Sequence, residues 1–442
     1  MHESKEHRSH GRRRRRALIG VAAVAATATM LTACMPGGGT SSEGPGEAPE
    51  KLSGDISFWT INLKSGFADY IEGLIDGFEK KNPDVTVEWV DVPGDQIDSK
   101  FLAALSGSST PDVVNMFSDS VSGVASRLLD LTTVLSDEAL ADIQPGLRDP
   151  FVIDGKQAAV PWYHSGAPVT MYRKSIMAEV PSFDLADPPS TYNDLLTLAN
   201  ETHDKTGKFG LNLIPSNDVF QYYGIPMLND DKSAAAFNTS EAVEMLEKWK
   251  EAYQTNGIAP GATSTQGIPP QWIDSGETAM TVNFASMLSG IETNSPDAYK
   301  DLAVSMAPRT TDGKYLLTEM QTFVIPAESK NPHAAGAFLE YITSAKNQLD
   351  FSKLVPIYPS SVEAAKDPFF TSVSGTALTD EARKLTAAAL PDLTYTGSFG
   401  TKFDSELGKV FRQGIRDYLS GSQGAADALT ALEKQWNEIL AG

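Results

Sequence analysis

The pattern of apolar and polar residues becomes regular from about residue 55 onward. Ile56 and Phe58 alternate with polar residues, which is typical of a β-strand. The next segment places apolar residues at intervals of three and four, which predicts a helix with one buried face, formed by Phe67, Tyr70, Ile71, Leu74, Ile75 and Phe78. Asn82 and Pro83 end this helix.

The same alternation of strand and helix continues along the chain. Val85, Val87 and Trp89 predict a second strand, residues 97–105 a second helix, and residues 113–117 a third strand. Further on, we predict a helix over 242–253 that begins after Asn238 or Thr239, a strand over 278–282 and a helical C-terminus. The βαβαβ order at the start favours an α/β protein with a largely parallel sheet.

The first part of the chain has a different pattern. A basic run, Arg12 to Arg16, precedes an apolar segment over 17–30 and then Leu31-Thr32-Ala33-Cys34, which predicts an export signal over residues 1–33. Leu-Thr-Ala-Cys resembles the bacterial lipobox, and the resemblance implies cleavage before Cys34 and a lipid on its thiol. An ordinary cleaved signal is the alternative, and the arginine pair leaves Sec or twin-arginine export open. Residues 34–53 are rich in Gly, Pro and Ser and predict a flexible tether.

The charge of the chain limits its partners. Its 442 residues include 57 acidic and 36 basic ones, for a net charge of −21, and removal of the basic leader would make it more acidic still. Such a surface repels nucleic acid and anionic lipid, so we expect no nucleic-acid partner and membrane contact only through the lipid anchor. Cys34 is the only cysteine, which rules out a disulfide within the chain.

Sequence signatures of catalysis are missing. The chain has no G-x-S-x-G, H-E-x-x-H, P-loop or G-x-G-x-x-G motif. The histidines after the leader, His164, His203 and His333, are far apart, so we expect no metal site, no cofactor and no enzymatic activity. The many acidic residues leave one alternative open, a secreted glycoside hydrolase with a carboxylate pair.

Aromatic and polar residues instead collect at predicted strand ends and in loops. Ligands of open α/β sheets bind beyond the carboxyl ends of the strands. A sugar suits such residues, because aromatic rings cover its C–H faces and carboxylates and amides bind its hydroxyls. The candidate ligand-binding residues are Trp59, Asn62, Asp119, Trp162, Tyr163, Tyr222, Tyr223, Trp272, Asn283, Phe284 and Phe399. The alternative for each aromatic is a place in the core, and for Asp119 a helix cap.

Several motifs together resemble the bacterial extracellular solute-binding proteins of family 1. They occur in the family's order over nearly the whole mature chain: Phe-Trp-Thr (58–60), Phe-Glu-Lys-Lys-Asn-Pro-Asp-Val-Thr-Val (78–87), Pro-Asp-Val-Val-Asn (111–115), Gly-Lys-Gln-Ala-Ala-Val-Pro-Trp-Tyr (155–163), Ser-Gly-Glu-Thr-Ala-Met (275–280) and Val-Ile-Pro-Ala-Glu-Ser-Lys-Asn-Pro-His-Ala-Ala (324–335). Asp119, Trp162-Tyr163, Phe284 and Phe399 match binding positions of the family, and Tyr222-Tyr223 match less closely. Met116 departs from the Trp that maltodextrin binders place in the third strand.

The resemblance implies a two-lobed periplasmic-binding-protein-like fold of type II. Each lobe would be a mixed sheet flanked by helices, with the ligand cleft at the hinge between them. Lobe I would comprise 54–161 and 318–355, and lobe II 162–317 and 356–442. The implied function is that of a monomeric, lipid-anchored receptor on the outer face of the cell membrane, which hands a carbohydrate to the transmembrane subunits of an ABC importer. A receptor for another small polar solute, such as a sugar phosphate or a polyol, is the alternative.

Overall fold

The computed structural model describes residue 49 and residues 51–442, apart from residues 108, 264–270, 373, 374 and 376. The predicted export signal, Cys34 and nearly all of the tether lie outside the described residues. Among the described residues, no helix is both long enough and apolar enough to span a membrane.

Strands and helices alternate through the first part of the chain, as the hydrophobic pattern predicts. The strands are β1 (Gly54–Ile61), β2 (Val85–Val92), β3 (Val113–Phe117), β4 (Val152–Ile153), β5 (Lys156–Gln157), β6 (Val160–His164), β7 (Val169–Arg173), β8 (Phe209–Leu211), β9 (Thr278–Asn283), β10 (Leu302–Met306), β11 (Tyr315–Leu317), β12 (Met320–Val324), β13 (Tyr358–Pro359) and β14 (Leu393–Tyr395).

The helices differ widely in length. They are α1 (Lys64–Lys81), α2 (Ile97–Leu105), α3 (Val121–Val124), α4 (Asp137–Ala141), α5 (Pro145–Arg148), α6 (Lys174–Met177), α7 (Tyr192–Thr206), α8 (Asn217–Tyr222), α9 (Ser240–Gln254), α10 (Gln271–Asp274), α11 (Met287–Asn294), α12 (Pro296–Lys300), α13 (Pro332–Thr343), α14 (Ala345–Ser352), α15 (Pro368–Thr371), α16 (Leu378–Ala389), α17 (Asp404–Ser420) and α18 (Ala425–Leu440). Thr239, one of the two predicted caps of α9, accepts a hydrogen bond from the backbone N–H of Ala242.

Lobe I is built on a mixed six-stranded sheet. Its strand order is β13-β6-β12-β3-β1-β2, with β1 parallel to β2 and β3, and with β12 antiparallel to β3 and β6. Along β1, Ile56 and Phe58 point into the core under α1 and α13, while Ile61 belongs to the core on the opposite face. Because both faces are covered, β3 in the middle of the sheet is buried over nearly its whole length.

Lobe II is built on a second, four-stranded sheet, in the order β10-β7-β9-β8. Trp249, Phe411 and Trp436, from α9, α17 and α18, fill the larger core of this lobe. Val169, Leu288 and Leu302 belong to a smaller core. The chain thus has two mixed sheets flanked by helices, and the α/β fold class is confirmed.

The segments that join the two sheets differ in position from those expected. Trp162 and Tyr163 were expected to open lobe II, but they lie in β6, which pairs with β12 and β13 in the lobe I sheet. Tyr358–Pro359 likewise pairs in the lobe I sheet. The strand pairing therefore favours a first crossing between the lobes after His164 and a third after Pro359. The second crossing is still expected near Leu317. There β11 pairs in parallel with β14, and the backbone N–H of Thr396 donates to the carbonyl of Leu317 at 2.9 Å.

His164, at the end of β6, is held in a buried and neutral state. It is 2% exposed, and its Nδ1 accepts a hydrogen bond from the backbone N–H of Gly166 at 3.0 Å. Burial lowers the pKa of His164 to about 3, because the charged imidazolium would lose its hydration.

We expect the buried imidazole to make folding sensitive to mild acid. Below its ordinary pKa the unfolded chain binds a proton at His164 that the folded chain does not, so the free energy of unfolding falls as the pH drops from about 6.5 toward 3. The contribution of this one group reaches about 1.4 kcal/mol per pH unit. Urea unfolding at a series of pH values, with His164→Gln beside the natural chain, measures it. Both proteins contain the same carboxylates, so the effect of these groups cancels when the two free energies of unfolding are subtracted. If the free energy of unfolding depended on pH equally in both proteins, the prediction would be contradicted.

Candidate functional site

The carboxyl end of β3 carries the first element of the site. After the strand, a 3-10 turn over Ser118–Ser120 brings the Asp119 side chain to the surface. The turn is fixed from below, since the buried hydroxyl of Ser118 accepts a hydrogen bond from the backbone N–H of Met320 at 3.0 Å. Asp119 therefore stands at the edge of the lobe I sheet, where the strand-end rule predicts a ligand.

A cavity of about 310 Å³ lies at this edge, between the two lobes. Its lining includes Asp98, Met116 and Asp119 from lobe I and Lys402, Asp404 and Ser405 from lobe II. Met116 contributes to the apolar part of the lining together with Leu102 and Val124. Such a mixture of apolar wall and few placed polar groups is typical of a site for a small molecule.

The lobe II side of the cavity is a loop organised by one carboxylate. Asp404, buried in the first turn of α17, accepts five hydrogen bonds, from the backbone N–H groups of Phe399, Gly400 and Thr401 and from the hydroxyls of Ser398 and Thr401, at 2.6–3.2 Å. The Ser398 hydroxyl also lies 2.8 Å from the hydroxyl of Ser122 in lobe I. The loop is thus held in shape and touches the opposite lobe directly.

Beside the cavity, the hinge strand β14 contributes a buried tyrosine. Tyr395 is 3% exposed, and its ring stacks on Phe151 with 5.2 Å between the ring centroids. Its hydroxyl lies close to that of Ser118, whereas the hydroxyl of Thr396 has no hydrogen-bond partner among the described residues. Tyr395 therefore ties the crossing segment to the core of lobe I.

Carboxylates set the electrostatics of this region. Burial and the carboxylate of Asp98 raise the pKa of Asp119. Burial and Asp119 raise the pKa of Glu319, which lies at the second crossing. Burial, with Asp119, Asp404 and Glu319 as nearby charges, also raises the pKa of Tyr395. The carboxylates of Asp119, Glu319 and Asp404 thus all act on Tyr395.

Of the predicted ligand-binding residues, the structure brings Asp119 to the cavity and Phe399 close to it. The backbone of Phe399 belongs to the Asp404 loop, but its ring packs against Trp436 in the lobe II core, with 4.9 Å between the ring centroids. Phe284 begins the segment after β9, and its half-buried ring packs against the core on the lobe I side. It therefore lies where the lobes face each other.

Three other predicted residues lie at the surface or partly exposed. Trp59 is half-buried against the lobe I core, and its indole N–H donates to the Ser57 hydroxyl at 3.2 Å. Asn62 is exposed and has a positive φ of 54°, so its backbone turn accounts for an asparagine there. The exposed Asn283 accepts a hydrogen bond from the backbone N–H of Phe284 at 2.8 Å.

The remaining aromatic candidates are part of the cores. Trp162 is 1% exposed, stacked on Phe351 and packed against Phe323, which leaves no ring face for a solute. Tyr222 is 4% exposed, and its hydroxyl accepts a hydrogen bond from the backbone N–H of Leu316. Trp162 and Tyr222 are therefore better explained as core residues than as ligand-binding residues, and we do not assign them to the site.

The neighbours of these residues have partners as well. The ring of Tyr163 packs edge-on against Phe351, and Tyr223 donates its hydroxyl proton to the side-chain oxygen of Asn193 at 3.1 Å. Burial raises the pKa of Tyr223 to about 12. The side chain of Trp272 lies outside the described residues.

Sequence reasoning missed Glu319, Tyr395, Lys402 and Asp404. Only Asp404 had a local signal, because an acidic residue in the first turn after a Gly-rich loop is a common helix start. Within the described part of the chain, no group of His, Cys, Asp and Glu residues is placed to hold a metal ion.

Comparison with known proteins identifies the architecture. The sequence model of the family "Bacterial extracellular solute-binding protein" matches residues 64–349. The chain belongs to this family. Family and fold are those of binding proteins rather than enzymes, and the predicted extracytoplasmic location agrees with the family. The lipid anchor stays a prediction.

Individual relatives cover most of the chain. The diacetylchitobiose binding protein DasA from Streptomyces coelicolor is 24% identical over 97% of this chain and 99% of its own length. The maltodextrin-binding protein MdxE from Bacillus subtilis is 22% identical over 80% of this chain and 86% of its own. Among solved structures, the cyclic alpha-maltosyl-1,6-maltose binding protein from Arthrobacter globiformis superimposes with a TM-score of 0.74, at 23% identity, over 88% of this chain and 99% of that one. The predicted two-lobed fold of type II is confirmed.

Proposed function

We propose that this solute-binding protein is the receptor of an ABC importer and captures a carbohydrate in the cavity between its lobes. The observation that carries the proposal is the cavity between the lobes, which is lined by carboxylates of both lobes beside apolar side chains. Carboxylates accept strong hydrogen bonds from sugar hydroxyls, and apolar side chains cover the C–H faces of a sugar. The carbohydrate ligands in the names of relatives support the same class.

Capture follows from the hinge. The cavity draws its lining from both lobes, so a solute completes its contacts only when the lobes are close together. A ligand with higher affinity for the closed form shifts the equilibrium toward it, by as much as its affinities for the two forms differ. Rotation at the crossing segments, where β11 pairs with β14, would open and close the cleft. We further propose that Cys34 carries the lipid that keeps the receptor at the membrane.

We expect one class of sugar to raise the unfolding midpoint of the purified protein in a thermal panel of mono- and oligosaccharides, polyols and sugar phosphates. A ligand that binds only the folded chain stabilises it by about 2.7 kcal/mol at 100 times its dissociation constant. Asp119→Asn should lower the affinity about 10-fold, since the solute then loses hydrogen bonds to a charged acceptor, yet leave the stability of the free protein nearly unchanged, because the Asp119 side chain is exposed.

Asp76→Asn is the matched control, because it removes the same charge from the exposed face of α1, outside the cavity lining. We expect it to leave affinity unchanged. A shift with sugar phosphates or polyols alone would move the function to that solute class, and consumption of the sugar would identify an enzyme. No shift with any compound of the panel would contradict the proposal.

A further inference from the structure

A hydrogen bond joins the two lobes beside the cavity. The hydroxyl of Ser122, in α3 of lobe I, lies 2.8 Å from the hydroxyl of Ser398, in the loop between β14 and α17 of lobe II. The two residues are half-buried and 276 positions apart in the chain. Neither is among the residues that line the cavity, so this contact can act on the position of the lobes without touching a bound solute.

The direction of this bond follows from the other partners of Ser398. A serine hydroxyl has one proton to donate and two lone pairs that can accept. Ser398 donates its proton to the carboxylate of Asp404 at 2.6 Å and accepts from the backbone N–H of Gly400 at 3.0 Å. Ser122 must therefore be the donor, and Ser398 accepts this proton with its remaining lone pair.

The two sides of the contact differ in how they are held. Asp404 accepts hydrogen bonds from three successive backbone N–H groups of the loop, so the oxygen of Ser398 keeps its place without help from lobe I. Removing the hydroxyl of Ser122 thus deletes the bond between the lobes and leaves the loop intact. Removing that of Ser398 would also break a bond inside the loop.

We propose that Ser122 and Ser398 form a latch that stabilises the closed form of the receptor. Rotation about the crossing segments moves the lobes apart, and a bond between them forms only when they are close together. A neutral hydrogen bond of this kind makes the closed form about 2- to 10-fold more populated relative to the open form. Ser122 is in this role a positioning residue, which raises the affinity for any solute that binds the closed form. The inference rests on the hinge movement of the proposed function and not on its carbohydrate.

Cysteine trapping without solute tests whether the two positions meet. In the full chain, with its only cysteine removed by Cys34→Ser, the pair Ser122→Cys and Ser398→Cys should form a disulfide under mild oxidation. The reason is that 2.8 Å between the hydroxyl oxygens brings the side chains within reach of a bond. Asp76→Cys with Ser398→Cys is the control pair and should stay reduced, because α1 and α3 cover opposite faces of the lobe I sheet.

Small-angle X-ray scattering of the solute-free full chain measures how far the latch shifts the equilibrium. The oxidised cysteine pair supplies the reference for the closed form. We expect Ser122→Ala to lower the ratio of closed to open forms about 2- to 10-fold and to leave the urea midpoint nearly unchanged. Ser99→Ala removes a hydroxyl that donates to the carbonyl of Gln96 within lobe I at 3.0 Å, and it should scatter like the natural chain.

The outcomes separate the latch from the rest of the function. Absence of the disulfide, or equal scattering of Ser122→Ala and the natural chain, would overturn the latch. A lower urea midpoint without a change in scattering would overturn it as well, because the bond would then support the fold alone. No sugar enters these measurements, so failure of the latch leaves the carbohydrate receptor standing, and failure of every sugar to bind leaves the latch standing.

Discussion

Replacing Trp162 by alanine should lower the free energy of unfolding by about 3 to 5 kcal/mol, the cost of emptying a large buried aromatic site. The indole is 1% exposed, stacks on Phe351 at 5.2 Å between centroids and lies 4.6 Å from the ring of Phe323. These contacts join β6, β12 and α14, so the cavity would open in the middle of the lobe I core. Urea unfolding of the variant and the natural chain, without ligand, measures the loss.

Trp59→Ala is the control for this experiment. Trp59 lies in β1 of the same sheet but is only half-buried, so its loss should cost clearly less. A Trp162→Ala protein with unchanged stability but without affinity for sugar would restore Trp162 to the binding site.

The hydrophobic pattern predicted the first elements well, because their burial follows from local periodicity. The predicted face of α1 includes Ile71, Leu74, Ile75 and Phe78, all four buried in the structure. The burial of Trp162, in contrast, could not be predicted from local periodicity. The motif Val-Pro-Trp-Tyr is compatible with a hinge or with a central strand, and what decides is the pairing of β6 with β12 and β13, which come more than 150 residues later.

The residues of the candidate site also differ in whether the local sequence predicts them. Asp119 was predictable, because the end of a buried parallel strand is a position defined by local sequence. Tyr395 and Glu319 were not, since no local motif marks them, and Asp404 had only the general signal of a helix start. The fold brings all three near Asp119 from distant parts of the chain. A cleft between two lobes is a tertiary property, and the pairing of β11 with β14, nearly 80 residues apart in the chain, has no signal in the local sequence.

Gly166→Ala should destabilise the protein by about 2 to 5 kcal/mol, combining two separate costs. Gly166 lies on the first crossing, between β6 and β7, with φ of +83°, a left-handed conformation that costs an alanine about 1 to 2 kcal/mol. Its added Cβ would also lie 2.2 Å from the Thr386 methyl and 2.7 Å from the Tyr358 ring, so these neighbours must move apart. Overpacking of this kind typically costs about 1 to 3 kcal/mol.

Gly155→Ala separates the two costs. Gly155 has a φ of +77°, yet an added Cβ would meet no heavy atom of the described residues within 4 Å, so it should lose only the backbone contribution. Urea unfolding of both variants gives the overpacking cost as the difference. Equal losses would show that the crossing yields to the methyl group without strain. A larger loss at Gly166 would show that α16 of lobe II and β13 of lobe I are packed tightly across this crossing, because Thr386 belongs to the first and Tyr358 to the second. Tight packing at this crossing would limit the movement of the lobes to rotation about the crossing segments. A receptor that moves in this way has two defined forms, open and closed, and the ligand can shift the equilibrium toward the closed one.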